Sequence, residues 1–208
     1  MKLFLTSSCV TENLADRFLQ MCAKNPKEVK FYFIPTATDV EDNKTYTVKS
    51  LDDFAKLGIN PIWYSLRFKT KELIAQELSG ADVIWVGGGN TFYLLDMARQ
   101  TGFFEVVDHL VRQKGIIYGG TSAGTIIATP SIDIAGWGDN WDRNNVGIKD
   151  FTGLGFVDFL THVHYQPGTE KDMLLSKKTN RSIYAIPDGG AVVVEDDKVE
   201  TLGGVEML

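Results

Sequence analysis

The residue best placed to do covalent chemistry is Ser122, in the run Gly120-Thr121-Ser122-Ala123-Gly124. Serine is a weak nucleophile until it is presented and its proton has somewhere to go. The apolar residues before it read as a buried strand and those after it as a helix start. A sharp strand-to-helix turn of the form G-x-S-x-G lifts the hydroxyl above the helix N-terminus. The glycines are small because the backbone is crowded there. The free N–H groups of the first helical turn face negative charge that develops on an attacked carbonyl, and Ala123 N–H is a natural donor. The same five residues suit a serine that caps a helix in a glycine-rich turn equally well.

A second strand-turn-helix unit is Val83-Ile84-Trp85-Val86-Gly87-Gly88-Gly89-Asn90-Thr91. It is neither a dinucleotide fingerprint nor a P-loop. Two glycine turns at one sheet edge could converge on one carbonyl oxygen, with Gly88 or Gly89 as the second oxyanion donor. Asn90 and Thr91 also suit a helix cap. For a base the chain offers His109, His162 and His164. His109 lies in a helical pattern. In an extended segment His162 and His164 would point to one face. They would also suit a metal pair, but no third ligand has the spacing. Asp133, Asp139, Asp158 and Asp188 could orient the base. Asp188 follows the apolar run Ile183–Ile186, and a carboxylate at a strand end can accept the second imidazole N–H.

The elements that must position these groups alternate. Strands are expected at Lys2–Thr6, Val29–Ile34, Pro61–Tyr64, Ala81–Val86 and Gly115–Tyr118. Helices are expected at Thr11–Cys22, Tyr46–Leu57, Lys69–Leu78, Thr91–Arg99, Phe103–Lys114 and Ala123–Ala128. Strands that are apolar throughout, separated by helices, indicate an α/β fold with a mostly parallel central sheet and helices on both faces. Ser182–Ile186, Ala191–Val194 and Lys198–Leu202 read as a β-rich finish on the sheet edge. Ile132–Asp150 has little periodicity and reads as a long surface loop, whose Trp137 and Trp141 could wall a pocket or anchor it by packing. Phe103–Phe104 or an open sheet edge could serve self-association.

The 208 residues fit one domain, 1–208. A 44% hydrophobic and 23% charged composition can build a core without disulfides, and Cys9 and Cys22 form no redox or metal motif. The net charge of −6 argues against nucleic acid or an anionic membrane as partner. The N-terminal apolar stretch lacks the features of a signal peptide and no apolar run could span a bilayer, so a cytoplasmic location is expected.

Val86-Gly87-Gly88-Gly89-Asn90-Thr91-Phe92 combined with Gly120-Thr121-Ser122-Ala123-Gly124 resembles the peptidase E family of aspartyl dipeptidases and its cyanophycinase relatives. The resemblance runs from the first strand to the last. It implies an α/β sandwich related to class I glutamine amidotransferases (flavodoxin-like), no cofactor, and a serine peptidase that cleaves short peptides through an acyl-enzyme. It also implies Ser122 as nucleophile, His164 (followed by Tyr165) as base, Asp188 in Ile186-Pro187-Asp188-Gly189 as third member, and Gly88 or Gly89 with Ala123 as oxyanion donors. Asn90 and Lys171 are the candidate substrate-binding residues. The family's aspartyl dipeptidase has Glu at the third position. Aspartyl-specific members place arginine after the histidine, where this chain reads Gln166-Pro167-Gly168-Thr169-Glu170-Lys171-Asp172. Lys171 supplies only a point charge there. The same triad would serve an esterase or amidase on a non-peptide substrate. A non-catalytic binding protein of this fold is the third alternative.

Overall fold

The structure is a computed structural model that describes every residue except 138–140, 169, 178 and 197. Asp139 and Thr169 therefore lie outside the described residues. Among the rest, the strands are β1 (Lys2–Thr6), β2 (Phe31–Ile34), β3 (Ile62–Trp63), β4 (Val83–Val86), β5 (Ile117–Thr121), β6 (Leu160–Val163), β7 (Ile183–Ile186), β8 (Ala191–Glu195), β9 (Lys198–Leu202) and β10 (Glu206–Met207). The helices are α1 (Glu12–Cys22), α2 (Thr45–Lys56), α3 (Lys71–Leu78), α4 (Thr91–Gln100), α5 (Phe103–Lys114), α6 (Ala123–Ile126) and α7 (Lys171–Ser176).

A seven-stranded sheet has the order β3-β2-β4-β5-β1-β8-β9. β3, β2, β4, β5 and β1 are parallel, and β8 and β9 are antiparallel at one edge. Successive side chains of a strand face opposite ways, and both faces here are covered. Leu3, Leu5, Ile84 and Val86 pack under α3, α4 and α5, with Ile74, Leu95 and Val107 among their neighbours. Phe4, Val83 and Trp85 pack under α1 and α2 with Leu14, Phe18 and Phe54. That second face is an aromatic cluster in which the Trp85 ring lies 4.9 Å from Phe54 and 5.4 Å from Phe18. Double coverage explains why Leu3–Leu5 and Val83–Val86 are apolar at every position.

Two expectations need correction. Ile183–Ile186 does not finish the large sheet. It forms the centre of a three-stranded sheet, β10-β7-β6. A short apolar strand carries no mark of the sheet it joins, and this one pairs parallel with β6. The segment from Ile132 is also less superficial than its composition suggested. A 3₁₀ turn over Asp133–Gly136 drives Ile132, Ile134 and Ala135 into the core, a pattern too short to show helical periodicity. Of the Phe103–Phe104 pair, Phe103 is fully buried, which leaves the partly buried Phe104 as its accessible member. No helix among the described residues is long and apolar enough to cross a membrane.

Candidate active site

The ends of two parallel strand pairs meet at the site. β1 and β5 run in register up to Thr6 beside Thr121, so Ser7 and Ser122 follow as neighbours. β6 and β7 run in register up to Val163 beside Ile186, so His164 and the Pro187-Asp188 turn follow as neighbours.

Ser122 leaves β5 with φ 51° and ψ −110°. A non-glycine residue pays about 1–3 kcal/mol for such a conformation, which persists only where the surroundings fix it. They do so here. Ser122 N–H donates to Thr6 O at 3.1 Å, and Ser122 O accepts from the N–H groups of Thr125 and Ile126 at 2.9 and 3.0 Å. Gly124 must be glycine because a Cβ there would run into the carbonyl of Val86. The Ser122 side chain makes no cap hydrogen bond, which removes the helix-cap reading of this residue. Its Oγ lies 3.1 Å from His164 Nε2, and His164 Nδ1 lies 2.7 Å from Asp188 Oδ1. The structure thus brings Ser122, His164 and Asp188 into one line. Gly88 packs directly on Ser122, where a Cβ would stand 3.1 Å from Ser122 Cβ. Ala123 opens α6, whose first N–H groups have no partner within the helix. Gly89 has φ 127° and abuts the backbone of Ala37.

His162 and His164 do not share a face. Alternation ends with β6, and His164 turns away at φ 55°. His162 is buried, pairs through Nε2 with Glu170 at 3.2 Å and packs on Trp141 at 4.5 Å. Burial holds its imidazole below the ordinary value, opposed by the Glu170 carboxylate. Asp133 bonds Ser131 and His109 is exposed on α5. Among the described residues, no group of three or more His, Cys, Asp and Glu is placed to hold a metal ion.

A cleft of about 1190 Å³ opens beside Ser122. Beyond the reactive groups, Glu41, Tyr46, Trp141, Asp142 and Glu170 line it. Burial raises the carboxyl of Asp142, opposed by the N–H of Thr91, and raises that of Glu41, with Asp142 and Asp42 adding to the effect. Tyr46 is pushed up to about 12 by burial and by the same two acids, Glu41 and Asp142. Neither Glu41 nor Asp142 has a salt-bridge partner among the described residues. Trp137 lies off the cleft under Lys177, so only Trp141 walls it.

Two candidate substrate residues are used otherwise. Asn90 caps α4 by accepting from Tyr93 N–H at 2.9 Å, and its Nδ2 donates to Arg143 O at 3.1 Å. Lys171 Nζ is turned to Glu206 Oε2 at 3.0 Å. Neither lines the cleft. Conversely, sequence reasoning missed Ser7, whose Oγ lies 2.9 Å from Asp188 Oδ1 and accepts His164 N–H at 2.8 Å. It also missed Asp142. No spacing rule marks either residue.

The model of peptidase family S51 matches residues 3–202. The chain belongs to peptidase family S51. It is therefore a serine-type peptidase. It is 35% identical over 164 residues to an uncharacterized peptidase of Pasteurella multocida, covering 79% of this chain and 77% of that one. It is 30% identical over 190 residues to peptidase E of Streptomyces coelicolor, covering 86% and 73% respectively. A crystal structure from Listeria monocytogenes EGD-e, of a protein provisionally named peptidase E, superposes with TM-score 0.82 over 97% of both chains at 28% identity. A family S51 chain needs an activated serine, and two serines reach the His164 ring, Ser122 at Nε2 (3.1 Å) and Ser7 at Nδ1 (3.2 Å).

Proposed function

We propose that this chain hydrolyses short peptides, as a dipeptidase or a close relative of one, through a Ser122–His164–Asp188 triad and an acyl-enzyme. The observation that carries the reading is the unbroken line from Ser122 Oγ to His164 Nε2 (3.1 Å) and from Nδ1 to Asp188 Oδ1 (2.7 Å). His164 takes the Ser122 proton as Oγ attacks the scissile carbonyl carbon, then delivers it to the leaving amine. A water repeats the sequence on the ester, releasing the acid and free Ser122. Asp188 keeps the proton on Nδ1 and offsets the imidazolium charge. The N–H groups of Ala123 and of Gly88 or Gly89 hold the oxyanion. The domain is one unit, 1–208, of the amidotransferase-like type that the resemblance implies, and it works in the cytoplasm without a cofactor.

The cleft's charge bears on substrate choice. Glu41, Asp142 and Glu170 face it, Lys49 there is paired with Asp53, and among the described residues no arginine lines it. An acidic side chain meets repulsion there, while an α-ammonium group or a neutral or basic side chain is accepted. Aspartyl specificity is therefore not part of the proposal. The test is a dipeptide and ester library assayed on wild type and Ser122→Ala. Peptide hydrolysis that disappears in Ser122→Ala is expected. Hydrolysis that survives it in pure protein would sink the reading, and turnover of esters alone would favour the esterase alternative.

A further inference from the structure

Ser7 touches two members of the proposed triad and belongs to neither of their strands. It follows β1 and is fully buried. Its Oγ accepts His164 N–H at 2.8 Å and lies 2.9 Å from Asp188 Oδ1 and 3.2 Å from His164 Nδ1. A hydroxyl has one proton and two lone pairs. One lone pair is occupied by the His164 amide. Nδ1 must carry a proton for Nε2 to accept from Ser122, so Nδ1 cannot accept from Ser7. The Ser7 proton therefore goes to Asp188.

Resting on the Ser-His-Asp reading, we infer that Ser7 is a positioning residue that locks His164 and Asp188 into one unit. Both partners need such a lock. His164 holds φ 55°, a conformation that a non-glycine residue keeps only under constraint. The Asp188 side chain is 67% exposed, so solvent competes for its orientation. The loop after β1 and the first turn of α1 grip the Asp188 turn at further points. Ser8 Oγ accepts Gly189 N–H at 3.0 Å, and Asn13 Nδ2 donates to Gly189 O at 3.0 Å. Those contacts hold backbone alone. Ser7 reaches both the carboxylate and the histidine, and so ties the large sheet to the two strand ends of the small one.

The test compares Ser7→Ala with Ser8→Ala. Ser7→Ala is expected to lower kcat about 10- to 100-fold, the equivalent of one lost charge-assisted hydrogen bond, with KM within about twofold. Ser8→Ala should stay within about threefold of wild type in kcat, because its contact is to backbone. Fluorophosphonate labelling of Ser122 should slow in Ser7→Ala by the same factor as kcat and still reach the wild-type stoichiometry, which a partly unfolded variant would not. In an Asp188→Ala background the Ser7→Ala effect should shrink to about threefold or less, because residues that act as a unit are not additive. A Ser7→Ala enzyme that labels as fast as wild type overturns the inference. So does a loss that appears as reduced stoichiometry, or one that is undiminished without Asp188. A wild type that does not label at Ser122 instead removes the triad reading itself.

Discussion

Gly88→Ala tests the packing of the site without touching a polar group. An added Cβ would stand 3.1 Å from Ser122 Cβ, 3.5 Å from Thr121 O and 3.7 Å from Ser122 Oγ. Carbon atoms prefer about 3.5–4.0 Å, so Ser122 or the glycine turn must give by a few tenths of an ångström. Ser122 is poorly able to yield, because its N–H and carbonyl are both engaged, the former by Thr6 O at 3.1 Å. The strain should cost about 1–3 kcal/mol and lower Tm by about 2–4 °C for each kcal/mol. Any part of that shift taken up by Ser122 weakens the contact of its Oγ with His164 Nε2, which at 3.1 Å already lies toward the long end of the useful range. A loss of about 10- to 100-fold in kcat/KM follows from misplacement on that scale. The alanine keeps the backbone N–H, so the effect is not removal of an oxyanion donor. Thermal melts and dipeptide kinetics on the same preparations decide it. Unchanged Tm together with unchanged kcat/KM would refute the argument.

Three further expectations concern Asn90, Asp142 and His162. Asn90→Ala removes the α4 cap and the tie to Arg143, and should cost about 0.5–2 kcal/mol in denaturant unfolding while KM stays within about twofold; a large rise in KM would restore Asn90 to substrate binding. Asp142→Asn keeps an acceptor for Thr91 N–H and removes a charge from the cleft, so kcat/KM for acidic dipeptides should rise about 2- to 10-fold relative to neutral ones; an unchanged ratio would show that Asp142 does not face substrate. His162 is held below its ordinary value by burial, against the pull of Glu170. Below about pH 6.5 the unfolded chain binds a proton that the folded chain refuses, so stability is lost as pH falls from there toward the folded value. The Tm of wild type relative to His162→Gln should therefore fall between pH 7 and pH 5, and a constant difference would contradict the burial argument.

Why some of this was legible and some was not comes down to where each signal is stored. The central strands announce themselves because two covered faces leave no polar position in Val83–Val86 or Phe31–Ile34. The turn at Ser122 is legible because backbone crowding excludes a Cβ at Gly120 and Gly124, and that exclusion is written in residue type. His164 has no such mark. Its left-handed backbone breaks the period-2 rule that would have paired it with His162, and nothing in Thr161-His162-Val163-His164-Tyr165 signals a positive φ at a histidine. Ser7 is less legible still, since a serine after a strand is an ordinary turn residue and its meaning comes from contacts 157 and 181 residues away. The geometry supplies a reason for this division. Ser122 and His164 each leave a parallel strand pair in a left-handed conformation, φ 51° and φ 55°, and the two pairs belong to different sheets. Local sequence can specify each turn, but the distance between Ser122 Oγ and His164 Nε2 depends on how one sheet sits against the other. The hydroxyl of Ser7 bonds across that boundary, from the end of β1 in the large sheet to both His164 and Asp188.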